Sequence, residues 1–558
     1  VYMEPSALSY QPLLESWLRS PQMAPLLQSD LVETQETPLA DVLRQMFAWL
    51  MSPACSQTDP TIQKGLDVLM DVTPEMKAKT VMHLFSSMLP LSGTAPIVEE
   101  QAEKDGKEGK EGKGGNAQPL SPVRFNATNL PLVQVTEKRT PVWDTVGTTL
   151  DSIQPKDRVG WVECQFLFCL VWGVGSTLNQ SGRDQFDTWL REYVVKEGNP
   201  EVDNEATLSS TKHRRKLQNM FPRKGSVFDF ILKTVGVKPT WVLWETQIDR
   251  GYEIVSGSSF SQVVVPTMHT CQHMFLLRSL LTHKRHVLLV GPTGTGKSVY
   301  CSEQLKRLRQ GYDQDHVGIQ KNNQNKGNKK NNSKNSPQKV SYSTVVSLSF
   351  SAQTSANTTQ DIVDAKVTKV RKGVYGPPLG SSSSSSSSVN GHPGHGFVFV
   401  DDLNMPQKEE YGAQPPLELL RQGMADSGWY DRSDSSFRTL INVSYVAAMV
   451  PPGGGRNFIT SRLSRHFEVI GVAPMKNATM EQIFSTILSW SCKQKGFSEM
   501  YSDGMASALV KATSVVYTNC SKRLLPTPNK SHYVFNLRDF GRVIQGTSNQ
   551  IQTINILP

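Results

Sequence analysis

The sequence has no uninterrupted apolar run near the roughly 18 residues that a membrane-spanning helix needs; the longest good candidate is Phe166 to Val174. Its first residues (Val1, Tyr2, Met3, Glu4) carry no basic stretch ahead of an apolar one, so no secretion signal is indicated. Seven cysteines (Cys55, Cys164, Cys169, Cys271, Cys301, Cys492 and Cys520) are scattered singly, without a Cys-x-x-Cys pair and with no histidine cluster at zinc spacing. That pattern fits buried thiols in a reducing compartment. The net charge of +9 is not spread over a binding face: Lys321, Lys326, Lys329, Lys330, Lys334 and Lys339 share one Asn/Gln/Ser-rich stretch without an acidic residue. Elsewhere the balance is nearly neutral, so a nucleic-acid partner is not indicated, and neither is a membrane. What is present is enough apolar material for sizeable cores: 38% hydrophobic residues, with 10 Trp, 21 Phe and 14 Tyr among 558 residues. At roughly 150 residues per domain, that length predicts three to four compact units. The chain opens on Val rather than Met and stops without a closing element, and we expect a piece of a longer polypeptide.

Three low-complexity segments interrupt the globular text: a Glu/Lys/Gly run at about 99–117, a Lys/Asn-rich insert at about 313–340, and a poly-Ser insert at about 380–396. None can bury enough apolar surface to offset its ordering entropy, and all three are expected as surface loops. Around them, apolar residues recur at helical spacing through Leu13, Leu14, Trp17 and Leu18, then through Leu39, Val42, Leu43, Met46, Phe47 and Leu50. A second helical block covers Trp161 to Val174 and continues through Phe186, Trp189, Leu190 and Tyr193. Short strands and turns follow Gly225, an α/β alternation spans about Val264 to Val472, and helix returns from Ala478 to Val543.

The strongest chemical signal is the apolar strand Val287 to Val290, followed by Gly291, Pro292, Thr293, Gly294, Thr295, Gly296, Lys297 and Ser298 and then an amphipathic helix. This is the Walker A pattern in the strand-to-helix context it requires. Glycines let backbone N–H groups approach phosphates, Lys297 reaches the β- and γ-phosphates, and Ser298 ligates Mg²⁺. About a hundred residues later a second apolar strand, Phe397 to Val400, ends in Asp401 and Asp402. The first carboxylate is assigned to the Mg²⁺ shell and the second to the attacking water. Asp402 is one methylene shorter than the Glu common in this role, and misplacement by about an ångström costs something like a hundredfold in rate.

A third strand, Ile441 to Met449, precedes Pro451, Pro452, three glycines, Arg456 and Asn457, then Arg462, Arg465 and His466. In the ring ATPases called AAA+, the end of this strand commonly carries a polar sensor, and the next helix points an arginine at the neighbouring subunit's nucleotide. Here Val450 stands at the sensor position, which bears against hydrolysis though not against binding. Arg462 and Arg465 are either arginine fingers acting on the adjacent module or surface ion-pair partners. Near the C-terminus, Arg538 starts a helix that would close over the nucleotide, where it either contacts the γ-phosphate or pairs with Asp539 or another carboxylate. Val265, Pro266, Thr267 and Thr270 lie where an adenine pocket is usual.

Together GPTGTGKS at Gly291, FSAQTSANTTQD at Phe350, RKGVYGPPLG at Arg371, FVDDLNMP at Phe399, YGAQPPLELLRQ at Tyr411, GWYDR at Gly428, PPGGGRN at Pro451 and HYVFNLRDF at His532 resemble the third AAA+ module of a dynein heavy chain. The DDLNMP and PPGGGRN forms resemble axonemal, ciliary types. The N-terminal VYMEPSALSYQPLLESWL and the block around FLFCLVWGVGSTLNQSGRDQFDTWLREYV are similar to the back half of the second module. TSRLSRHF from Thr460 stands where the family usually has TPRFLRHF, and Phe458 where proline is common; both arginines are kept. The resemblance implies an α/β P-loop AAA+ module, a parallel sheet flanked by helices with a helical lid, preceded by a mainly helical partial AAA+ module. The expected limits are 1–250 for the preceding module and connector, 251–475 for the nucleotide-binding core and 476–558 for a truncated lid. It also implies ATP or ADP with Mg²⁺ as cofactors, and an ATPase motor of six modules walking on microtubules through a stalk outside this segment. Implied partners are the flanking AAA+ modules and the dynein intermediate and light chains, in the cytoplasm, the cytoskeleton and the axoneme of a cilium or flagellum. Two other readings stay open: a module that holds nucleotide as a structural cofactor without turnover, and a stand-alone AAA+ remodelling ATPase.

Overall fold

Apart from isolated positions, the computed structural model describes residues 10–23, 39–89, 155–197, 219–248, 263–321, 342–378 and 394–554. The Glu/Lys/Gly run lies outside them. Helices α1 (Gln11–Leu18), α2 (Leu39–Met46) and α3 (Ser52–Gln57), the last two joined by a π turn over Phe47–Met51, turn the expected apolar stripe inward except at Leu13, which is exposed because it lies on the outer side of α1. Helix α4 (Pro74–Ser87) starts at an N-cap, where Thr73 Oγ1 accepts from the Met76 N–H and Pro74 occupies the first turn without wasting a donor. Helix α5 (Pro155–Gly173) is buried from Val159 onward, enclosing the polar Glu163 and Gln165, and is followed by α6 (Gln180–Glu197). The stretch Asp157–Thr177 is long and apolar enough to cross a membrane when scattered polar residues are tolerated, a property that the search for uninterrupted runs misses. Its apolar window is wholly buried inside the protein, with Phe166 against Phe47 at 4.9 Å and Trp161 against Phe85 at 6.4 Å.

Strands β1 (Phe230–Val235) and β2 (Lys238–Leu243) form an antiparallel hairpin, and helix α7 (Met268–Thr282) leads into β3 (Val287–Val290). Helix α8 (Lys297–Lys321) follows, then β4 (Tyr342–Ser349), α9 (Ala356–Asp364), β5 (Thr368–Arg371), β6 (Val374–Gly376) and β7 (His395–Asp401). After these come α10 (Pro415–Ala425), β8 (Gly428–Tyr430), β9 (Phe437–Leu440), β10 (Val443–Met449), the short α11 (Ser461–Ser464) and β11 (Glu468–Gly471). Five of these strands make one parallel sheet in the order β11-β3-β10-β7-β4. A smaller sheet, β5-β6-β9-β8, stands apart from it. The lid comprises α12 (Asn477–Gln494), α13 (Glu499–Arg523) and α14 (Leu537–Ile554), around their own core of Met480, Phe484, Leu488, Val510, Phe540 and Ile544.

The parallel sheet is buried on both faces, which is why its strands read as continuous apolar runs. Alternation still sorts them. Val287, Leu289, Phe397, Phe399, Val446 and Ile470 face one core, while Leu288, Val290, Val398, Val400, Tyr445 and Val469 face the other. The first core runs without a break from Leu14 to Val472, so the N-terminal helices bury their stripe on the sheet itself.

Three expected limits shift. Helix α8 carries the chain through Lys321, so residues 313–321 are helical backbone where an insert was expected to begin; 322–341 lie outside the described residues. The strand bearing the acidic pair begins at His395, inside the span assigned to the poly-Ser insert, because the buried His395 Nε2 meets Ser444 Oγ of β10 at 3.0 Å. The third strand starts at Val443 rather than Ile441, since Asn442 adopts a left-handed φ of 54° that breaks extended geometry.

Charged side chains bind the helices to the sheet edge. The Arg183 guanidinium, 4% exposed, donates to the carbonyls of Ser176, Leu178 and Gly471 and lies over the rings of Trp172 and Phe228. Glu468, 1% exposed, accepts from His83 Nδ1 at 2.6 Å, with Lys79 Nζ at 3.5 Å. Burial alone would raise the Glu468 carboxyl, but His83 and Lys79 overcome it and hold it well below the usual carboxylate range. Burial also pushes His269 and His395 down to about 3 and His273 to about 4.

These shifts give one sign of pH dependence. An unfolded histidine protonates near pH 6.5 while the folded ones resist until about 3 or 4, so each costs the folded state up to about 1.4 kcal/mol per pH unit as pH falls through that window. Glu468 adds a loss below its unfolded value of about 4.3. The melting temperature is expected to fall between pH 7 and pH 5, with proton uptake on unfolding in calorimetry; a flat profile would contradict the buried neutral imidazoles.

Candidate functional site

The phosphate loop sits between β3, buried on both faces, and α8. Gly294 (φ 82°) and Gly296 (φ 88°) take left-handed conformations that other residues strain to adopt. Gly291 is required for space: a Cβ there would stand 2.3 Å from the Val472 carbonyl oxygen at the end of β11. Pro292 and Thr295 brace the loop, with Thr295 Oγ1 donating to the Pro292 carbonyl at 3.0 Å, and Thr293 is exposed. Lys297, 7% exposed, folds its ammonium onto the carbonyls of Gly291 (2.8 Å) and Pro292 (2.7 Å). Burial pushes this ammonium down to about 8, with Asp401 and Asp402 opposing the shift and Arg456 adding to it.

Register brings the acidic pair to the loop. In the parallel sheet Val290 lies beside Met449, and Ala447 beside Val400, so the C-terminal ends of β3, β10 and β7 open on one edge. There Ser298 Oγ donates to Asp401 Oδ1 at 2.9 Å, and the Asp402 N–H donates to the same oxygen at 3.1 Å. A hydroxyl and a carboxylate side by side are the hard oxygen donors that Mg²⁺ takes, so these residues fit the ion that the fold implies. Asp402 adopts a φ of 54° and is tied to Arg456, whose Nη1 lies 3.1 Å from Asp402 Oδ1.

The remaining expected residues separate. Val450 contributes only its carbonyl, which accepts from Nδ2 of the fully buried Asn404 at 2.8 Å. Arg538 is exposed at the first turn of α14, next to Leu537, whose Cβ would lie 3.0 Å from a Cβ on Gly294. The lid helix therefore begins directly against the phosphate loop. Asp539 is engaged by Arg542 (3.6 Å) and the Asn536 N–H (3.1 Å), so it is not the partner of Arg538. Arg462 is 68% exposed and only 3.9 Å from Glu418, and Arg465 is exposed while its carbonyl accepts from Lys79 Nζ at 3.0 Å. Thr267 caps α7, and Thr270 Oγ1 donates to the Val265 carbonyl at 3.3 Å. Arg456, in contact with Asp402, and Asn404, which donates to the Val450 carbonyl, are neighbours of the site to which the sequence reading gave no role. Both lie in quoted motifs, but no spacing rule connects an arginine after one strand with a carboxylate after another.

The family described as "P-loop containing dynein motor region" matches residues 252–330 and 328–475, and "Dynein heavy chain AAA lid domain" matches residues 137–246. The chain belongs to the dynein heavy chain family. Human dynein axonemal heavy chain 3 is 33% identical over 548 residues, covering 98% of this chain and 10% of that protein. Human dynein axonemal heavy chain 1 is 33% identical over 571 residues with the same coverages, and mouse dynein axonemal heavy chain 12 is 37% identical over 384 residues, 69% of this chain and 11% of that protein. The chain thus spans about a tenth of the length of these dynein relatives. Its fold is that of the AAA+ P-loop units of dynein heavy chains, with a parallel sheet flanked by helices.

Removing the Lys297 ammonium deletes charge-assisted bonds worth about 1.5–3 kcal/mol, so Lys297→Ala is expected to weaken ATP binding about 10- to 100-fold in a fluorescent-nucleotide titration. Ser298→Ala should leave ATP affinity far less dependent on added Mg²⁺. An unchanged Kd in Lys297→Ala would place the phosphates elsewhere.

Proposed function

We propose that this chain is the ATP-binding third AAA+ module of an axonemal dynein heavy chain, preceded by the back half of the second, and that nucleotide at the Lys297 loop regulates the ring of a microtubule motor. The observation that carries the reading is the 2.9 Å bond from Ser298 to Asp401, which joins the phosphate loop to the acidic strand beneath the lid helix. The match of a dynein lid family to residues 137–246, upstream of the P-loop match, supports a boundary near 250, with the core at 251–475 and the lid at 476–558.

In this reading the loop N–H groups and Lys297 bind the phosphates, and Ser298 and Asp401 hold Mg²⁺, which neutralises phosphate charge when bound. Asp402 orients a water, and Arg538 enters from the lid. Arg462 and Arg465, exposed beyond β10, serve a neighbouring module. ATP or ADP bound here biases the ring and so gates microtubule release by coupling between sites. The partners are then the flanking modules, intermediate and light chains, and microtubules reached through a stalk elsewhere in the heavy chain, in a cilium or flagellum axoneme.

A second reading is favoured by Asp402 tied to Arg456 and by the apolar Val450: a module that keeps nucleotide as a structural cofactor, stabilising by mass action without turnover. The test is occupancy and turnover in a chain extended through the following module. If ATP is hydrolysed and both Lys297→Ala and Asp402→Asn abolish turnover at this site, the regulatory reading stands. If nucleotide co-purifies without exchanging and Lys297→Ala only lowers the melting temperature, the structural reading replaces it.

A further inference from the structure

The loop after β10 is built to deliver one guanidinium. Gly453 N–H donates to the Arg456 carbonyl at 3.2 Å and Arg456 N–H returns a bond to Gly453 at 3.0 Å, closing a tight turn. Gly453 (φ 123°) and Gly455 (φ 84°) would meet nothing within 4 Å if given a Cβ, so glycine serves backbone freedom there rather than crowding. The base of the loop is fixed. Asn457 N–H donates to the Asn404 carbonyl at 3.2 Å, Asn457 Nδ2 to the Pro406 carbonyl at 2.8 Å, and Asn404 Nδ2 to the Val450 carbonyl at 2.8 Å. A free tip on a pinned base can swing its side chain without moving the strand.

The sheet order sets where that side chain reaches. β10 lies between β3 and β7, so the loop leaving it emerges between the phosphate loop and the acidic pair, close enough for the Arg456 charge to act on the Lys297 ammonium. Its contact with Asp402 is single-pointed, at 3.1 Å, between side chains 23% and 39% exposed. Pairs of that kind are worth about 0–1 kcal/mol, weak enough to be exchanged. A terminal phosphate offers more charge and several oxygens, the geometry that a guanidinium binds in two-pronged fashion.

We infer that Arg456 is a triphosphate-sensing switch, passing from the Asp402 carboxylate to the γ-phosphate of a bound nucleoside triphosphate and leaving that carboxylate free to orient water. The inference rests on the reading that a nucleotide occupies the Lys297 loop. It assigns to Arg456 the sensing that the side chain of Val450 cannot perform. With a diphosphate no terminal group competes, and Asp402 stays held.

The experiment measures affinities for the β,γ-imido analogue of ATP and for ADP, both with Mg²⁺, in a chain extended through the following module. Arg456→Gln is expected to lower the ratio of triphosphate to diphosphate affinity about tenfold, with partial recovery in Arg456→Lys. Asp402→Asn removes the competitor and is expected to raise that ratio a few-fold, on the order of 3, but only while Arg456 is present. The inference is overturned if Arg456→Gln leaves the ratio unchanged, or if Asp402→Asn has the same effect with and without Arg456. A native chain that binds neither nucleotide instead removes the underlying reading of the site.

Discussion

The bond from Ser298 to Asp401 joins residues 103 positions apart and sets the arrangement of everything around it. It exists because β3, β10 and β7 are parallel and in register, so the loop after one strand and the acid at the end of another share an edge. A parallel sheet with crossover helices opens its functional edge at the strand C-termini, and Lys297, Ser298, Asp401 and Asp402 lie on that edge, whereas Arg462 and Arg465 precede β11 at the other end of the sheet. Arg538 comes from outside the sheet. It is delivered by α14, whose first residue presses on Gly294.

The phosphate loop is also hemmed from the opposite side. The end of β11 approaches Gly291 so closely that no side chain fits, and the same strand end is held by Arg183, with Glu468 at its start paired to His83. The N-terminal helices therefore do more than precede the core in the chain. They share its largest hydrophobic cluster, and a buried cation and a buried anion lock their orientation to the edge strand. Leaving either charge without its partners would cost several kcal/mol, so these contacts specify geometry more than they add stability.

In the proposed reading, the chemistry of the site turns on which group answers the γ-phosphate. An apolar Val450 would leave that position mute in a scheme with one sensor per strand end. The structure puts Arg456 a few residues further along the same loop, against the carboxylate assigned to the water. The weakness of that exposed pair matters, because a strong buried pair could not be displaced by a ligand.

Local patterns determined much of this. The apolar run Val287 to Val290 followed by GPTGTGKS, and Phe397 to Val400 followed by two aspartates, each state strand, turn and phosphate chemistry within about a dozen residues, because period-two burial and glycine dihedrals are local properties. The helical stripes of α2 and α5 were legible for the same reason. What only the tertiary structure decided were relations between distant segments: the Ser298 to Asp401 bond itself, the Arg456 to Asp402 pair, the Glu468 cluster, and the single core uniting the N-terminal helices with the sheet. The limits of the inserts belong here too, since His395 becomes strand through a hydrogen bond to Ser444 on a neighbouring strand. Side-chain periodicity fixes which way a residue faces, but only the stacking of strands fixes what it meets there.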